Sequence, residues 1–475
     1  MKKLLALLIL LSIFACSTPK EASNSDLEAR IQRIENGLMS SLQIEGEEAV
    51  TYNINERLKQ LGIPGVSIAV VTNGKVEWAK GYGMADIAEN RPMTSETMLL
   101  AGSISKPIAA LRAHQLVENG RLSLDGNVND YLTSWQLPDN EFTTKEKVTL
   151  RRILNHTAGL TTWGFPGYDK GDEIPSVPDV LDGKGNTDAV RVYKEPGESW
   201  MYSGGGYTIM QLMVTDVEGT NYPETMQQHV LDPLGMKKSS FENPLPEEYH
   251  GIAATGYRGD GKEVEGKWPI YPEMAAAGLW TTPSQLIQYA IEIQKINNTK
   301  ETGILQYETV NEMLKAGMNG HGLGPGITEA TFGHGGADEG FRAQLTAWKN
   351  EPHAVVIMVN SDNGRIMSEI MLAIGNEYKL PENQTVYRKV IKISNADLQK
   401  YQGKYQVGEM GVLEVKISGD HLTFEASFIG QTIHLASESA TKFFDRNDGT
   451  EINFDILDGR VIGFDVQGQR GTRID

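Results

Sequence analysis

The sequence predicts an α+β fold followed by a small all-β module, and three observations carry that prediction. Strand-like segments stand at about 65–82 and return at about 331–360, enclosing a mostly helical middle from 103 to about 300. Asn73-Gly74 separates the first two strands, a strong hairpin signal. From about Ser394 apolar and polar residues alternate, punctuated by Asp448-Gly449 and Asp458-Gly459. Strands at both ends of a unit that encloses helices imply one antiparallel sheet built from the two ends, with a helical insertion.

The N-terminal residues stand outside that fold. Met1-Lys2-Lys3 is a short positive region, and Leu4 to Phe14 is an apolar run too short to span a bilayer. Ile13-Phe14-Ala15-Cys16 then resembles a bacterial lipoprotein signal, and Cys16 is the only cysteine in the chain. Residues 1–15 read as a signal peptide. Cys16 reads as the lipidated first residue, tying the protein to the periplasmic face or outer membrane of a bacterial envelope. One cysteine also excludes an intramolecular disulfide.

Residues 16–48 read as a polar tether containing a helix from about Asp26 to Leu42. The body, 49–379, opens with a helix Ile54 to Leu61 closed by Gly62, then strands 65–71 and 75–82. Later strands, Leu345 to Trp348 and Ala354 to Asn360, pair across Asn350-Glu351-Pro352, and a helix Ile366 to Tyr378 ends the unit. Residues 380–393 read as a linker. In 394–475 the stretches 413–417, 451–456 and 461–466 alternate as strands do. At 475 residues, two domains plus a tail is the natural organisation. Apolar residues make up 40% and charged residues 22%, the mix of an ordinary soluble globular protein. A net charge of −18 argues against nucleic acid as a partner.

Chemistry concentrates in three segments. Ser-x-x-Lys occurs at Ser17–Lys20, Ser103–Lys106 and Ser439–Lys442, but only the middle copy opens an apolar-periodic helix. Residues three apart share a helix face, so the Ser103 hydroxyl and Lys106 amine are neighbours. A serine becomes a nucleophile when a base takes its proton, and a buried lysine can be that base. The second segment runs Glu195 to Tyr207. It places Tyr202 in a Gly- and Pro-rich loop before a helix from Thr208 to Val217, within reach of the pair as a proton shuttle. The third, Thr331 to Ala337, sets His334 among Gly333, Gly335 and Gly336, leaving a bare strand edge with a main-chain N–H free for an oxyanion. His321-Gly322 competes with it but lacks strand context on both sides.

Taken in order, Ser103-Ile104-Ser105-Lys106, Tyr202-Ser203-Gly204 and His334-Gly335-Gly336 resemble the serine β-lactamase and penicillin-binding superfamily, specifically its class C β-lactamase-like branch of D-peptidases and esterases. Leu154 to Leu160 resembles that family's His-Thr-Ser-Gly-Leu turn, and Asp232 to Met236 its Pro-Leu-Gly-Met segment. The similarity spans roughly 50 to 378, and the C-terminal module resembles the β domain appended in this branch. The resemblance implies a transpeptidase-like fold. It makes Ser103 the acylated nucleophile, with Lys106 and Tyr202 sharing general-base and general-acid work. It makes the amides of Ser103 and Ala337 the oxyanion hole, and His334, Gly335 and Gly336 the substrate-binding edge.

Two departures bear on substrate. Gly204 stands where many β-lactamases have Asn, and His334 where many relatives have the Lys of Lys-Thr-Gly. Both favour a peptidase, amidase or esterase over an efficient β-lactamase. A non-catalytic binding lipoprotein that kept the fold is the reading from another class. His156 is expected to be structural, and Arg342 a solvent-facing strand residue. No metal-ligand spacing and no phosphate loop appear, so the expected partner is a small-molecule or peptide substrate, with no metal and no cofactor.

Overall fold

The computed structural model describes residues 24–475 except 429, 431, 447 and 448. The signal segment 1–15, Cys16 and Asp448 therefore lie outside the described residues. The central sheet has seven strands: Arg91–Pro92, Lys75–Asp86, Gly65–Thr72, Ala354–Val359, Phe341–Trp348, Thr331–Asp338 and Gly326–Ile327, in that spatial order. All neighbours are antiparallel. Asn73 and Gly74 have φ of 51° and 71°, the paired positive values of a type I′ turn, so the hairpin forms where the sequence placed it.

Strand residues alternate between two cores. Ala69, Val71, Val356, Met358 and Leu345 face the helical insertion. Val66, Ile68, Val70, Val355 and Ile357 face the helices Ile54–Leu61 and Arg365–Tyr378. The sheet is thus buried on both sides, and its central strands read as continuous apolar runs.

The N-terminal segment differs from a free tether. Its helix runs Asn24–Glu35 and stops before Gly37, where a Cβ would lie 2.6 Å from the Arg33 carbonyl oxygen. Ile31, Ile34 and Leu38 are buried in the second core. Leu42–Ile44 then forms a short parallel pair with Val386–Arg388, a strand within the expected linker. Leu42 packs on Ala436 and Phe444 of the C-terminal module. An apolar residue every third or fourth position was enough to dock this stretch on the body.

Helix Gly204–Glu218 begins four residues earlier than expected, with the three glycines as its first turn. Packing requires them: a Cβ on Gly205 would meet Val190 Cγ2 at 2.7 Å, and one on Gly204 the Trp163 carbonyl oxygen at 3.1 Å. The Ser203 hydroxyl caps this helix by accepting the Gly206 amide at 3.0 Å.

Residues 403–473 close into an eight-stranded antiparallel barrel. Tyr401, Tyr405, Phe424, Phe443, Phe454 and Phe464 fill its interior, with ring centroids from Phe454 to its neighbours between 5.0 and 6.4 Å. An eight-stranded barrel is narrow enough for side chains to fill, and aromatic volume supplies that filling here. Replacing Phe454 with Ala should cost the barrel about 3–5 kcal/mol. Urea denaturation followed by near-ultraviolet circular dichroism measures this, and a loss under about 1 kcal/mol would contradict a single packed interior.

Candidate active site

Ser103 lies in a tight turn, Gly102–Ile104, leading directly into helix Ser105–Glu118. Gly102 adopts φ +54°, and a Cβ there would stand 2.5 Å from the Ala337 amide nitrogen. On the facing strand, a Cβ on Gly336 would stand 2.0 Å from the Ala101 carbonyl oxygen. Glycine at both positions lets the serine turn lie against the Thr331–Asp338 strand. Among the described residues only Gly326–Ile327 pairs beyond that strand, with Gly333 and Phe332, so the run from His334 to Ala337 is an edge. Gly335 and Ala337 are exposed.

Lys106 is 2% exposed. Its Nζ is 2.9 Å from Ser103 Oγ and 2.9 Å from the Ala276 carbonyl oxygen. It also sits 4.9 Å from the centroid of the Tyr202 ring and 5.7 Å from that of Tyr207. Serine and lysine therefore touch, with the Tyr202 ring packed against the amine. An amine held on a serine oxygen this way can exchange a proton with it, and the neighbouring phenol can extend that exchange outward.

Several supporting residues carry no motif signal. Ser105 Oγ donates to the Gly102 carbonyl at 2.6 Å and accepts the Leu279 amide at 2.9 Å, tying the turn to the segment behind it. Gln211 accepts the Ala275 amide and donates to the Pro272 carbonyl, both at 2.9 Å, fixing the short helix whose Ala276 carbonyl holds Lys106. Both side chains are buried. A buried polar residue is the only sequence sign of either role, and burial is a property of the fold.

Three histidines surround Tyr202. His334 is where the motif put it, half-buried, its Nδ1–H donating to the Gly335 carbonyl at 2.5 Å. Burial, reinforced by the Lys106 charge, holds its imidazole down at about 3, so the ring is neutral at neutral pH. His156 stacks on Tyr202 with ring centroids 4.2 Å apart, and its Nδ1 accepts the Ser203 amide at 3.1 Å. Its structural role is thus exercised on the site itself. His321, the competitor upstream, stands 5.1 Å from His156 and 6.2 Å from His334 by ring centroids. Sequence spacing shows no such cluster because the three come from separate segments. Arg342 is committed elsewhere: it pairs with Asp362 at 2.9 Å and donates to the carbonyls of Asp338 and Phe341.

Two buried acids flank the serine turn. Asp338 accepts the Gly102 amide, and Glu273 is fully buried with neither carboxyl oxygen paired. Burial pushes each carboxyl up to about 8. Between ordinary carboxyl values and about 8 the folded chain holds more protons than the unfolded chain. Unfolding free energy therefore falls as pH rises through that window. Glu273→Gln removes one contributor. The variant should lose about 1–3 kcal/mol less stability than the parent between about pH 5 and about pH 9. Urea midpoints at the two pH values test this, and parallel losses would rule it out.

The β-lactamase family model matches residues 50–370. The putative penicillin-binding protein PbpX of Bacillus subtilis is 24% identical over 354 residues, 73% of this chain and 83% of that protein. Penicillin-binding protein 4* of the same organism is 22% identical over 428 residues, 84% of this chain and 91% of its own length. The solved octameric penicillin-binding protein homologue from Pyrococcus abyssi superposes with a TM-score of 0.61 at 23% identity, covering 88% of this chain and 98% of that one. That likeness is one of fold. With two thirds of the sequence under the family model, and the three motif segments folded onto one cleft, the chain belongs to the β-lactamase family of serine hydrolases and penicillin-binding proteins.

Proposed function

We propose that the protein is a serine hydrolase that acts through an acyl-enzyme on Ser103, on ester or amide substrates of the D-amino-acid peptide or small-ester kind. The observation that carries this is the buried Lys106 amine 2.9 Å from Ser103 Oγ with the Tyr202 ring against it. In acylation Lys106 takes the Ser103 proton while Oγ bonds to the carbonyl carbon. The oxygen that gains charge faces the amides of Ser103 and Ala337. As the carbon–leaving-group bond breaks, the proton passes from Lys106 through Tyr202 to the leaving nitrogen or oxygen. Water then attacks the ester, using the same groups in reverse.

Neutral His334 narrows the substrate class. An uncharged imidazole offers a hydrogen bond but no cation where a free carboxylate next to the scissile bond needs one. Arg342 is already paired with Asp362. These features favour small esters and peptides without a terminal carboxylate beside the cleaved bond over D-Ala-D-Ala termini, and over β-lactams. Fluorophosphonate should label the parent protein and leave Ser103→Ala unlabelled by intact mass. Equal labelling of both would overturn the assignment, and no labelling of either would favour a binding protein. Turnover of nitrophenyl esters should exceed that of D-Ala-D-Ala peptides and nitrocefin.

The lipoprotein-like start gives the working location. We propose a lipid anchor on Cys16 at the bacterial envelope. Expressed in a lipoprotein-competent host, the parent should incorporate labelled palmitate and sediment with membranes, whereas Cys16→Ser should be soluble; equal fractionation of the two rules the anchor out.

A further inference from the structure

Three imidazoles converge beside the Ser103–Lys106 pair. Candidate ligand nitrogens of His156, His321 and His334 lie within 4.8 Å of one another. On each ring one nitrogen is buried without a hydrogen-bond partner: His156 Nε2, His321 Nδ1 and His334 Nε2. His156 is 1% exposed, so its unpaired nitrogen is no solvated surface group. Buried polar nitrogens almost always find partners, and three without them in one place point to a bound species.

The second nitrogen of each ring decides what the first can offer. His334 gives its Nδ1 proton to the Gly335 carbonyl, which leaves a lone pair on Nε2. An imidazole oriented by a backbone carbonyl is the common arrangement of a metal ligand. His321 feels the Asn319 carbonyl while its Nδ1 stays unpartnered, so Nε2 carries the proton and Nδ1 the lone pair. His156 differs, because its Nδ1 accepts the Ser203 amide and the proton therefore sits on Nε2. Two lone pairs and one N–H thus face a common space.

We propose that His321 Nδ1 and His334 Nε2 bind a divalent transition-metal ion, with water or hydroxide on that ion accepting the His156 Nε2–H. Zinc is the natural probe, since it favours imidazole and keeps solvent in its remaining positions. Bonds of about 2.0–2.1 Å in a tetrahedron would bring the two lone pairs to about 3.4 Å, inside the 4.8 Å that now spans the candidate nitrogens. The rings of His321 and His334 stand 6.3 and 6.1 Å from that of Tyr202. The ion would consume the lone pair of His334, on the strand edge assigned to substrate, so binding competes with acylation. The rival occupant is one water molecule, which the same three groups also satisfy.

Calorimetry with zinc chloride on the Ser103→Ala protein reads binding apart from any turnover. The expected result is one saturable site of micromolar affinity, at least about tenfold weaker in the Ser103→Ala protein that also carries His321→Gln. Crystals of the parent soaked in zinc should show an anomalous peak between His321 and His334. Zinc should also slow fluorophosphonate labelling of the parent, reversibly with chelator. No saturable binding up to about 1 mM, or an affinity indifferent to His321→Gln, would overturn the site and leave water as the occupant.

Discussion

The contact between the backbone at Gly102 and the strand edge at Gly336–Ala337 is the constraint on which the rest of the site depends. Neither glycine can carry a side chain without driving a Cβ into main-chain atoms at 2.5 Å or less. Because the two backbones touch, the serine turn lies directly against the Gly336–Ala337 edge. The constraint then propagates. Ser105 pins the turn to Leu279, Asp338 receives the Gly102 amide, and Gln211 steadies the segment whose Ala276 carbonyl holds Lys106. Remove the close approach and each of these bonds loses its partner's position.

Electrostatics follows from the same packing. The cleft floor is dry enough to keep two carboxyls protonated to about 8 and an imidazole neutral to about 3. The partners of the buried Lys106 are a hydroxyl, a carbonyl and two aromatic faces.

Much of this was legible in the sequence because the relevant signals are local. Asn73-Gly74 dictates a turn by its own φ preferences, and Ser103 and Lys106 share a face by helical spacing alone. Glycines proved harder to read. Gly204 to Gly206 have the look of a loop, yet tertiary packing against Val190 and Trp163 makes them a helix start. The helix near residue 30 could not be told from a tether, since its few apolar positions matter only when the sheet is there to receive them. The histidine cluster was invisible for a related reason: His156, His321 and His334 meet only through long-range topology.

The pairing of Leu42–Ile44 with Val386–Arg388, with Leu42 seated on Phe444, clasps the beginning of the chain to the seam between hydrolase body and barrel. A pull from the N-terminal side first meets Ile31, Ile34 and Leu38, packed in the second core, and reaches this clasp only behind them. The seam is thus shielded by an anchor upstream of it.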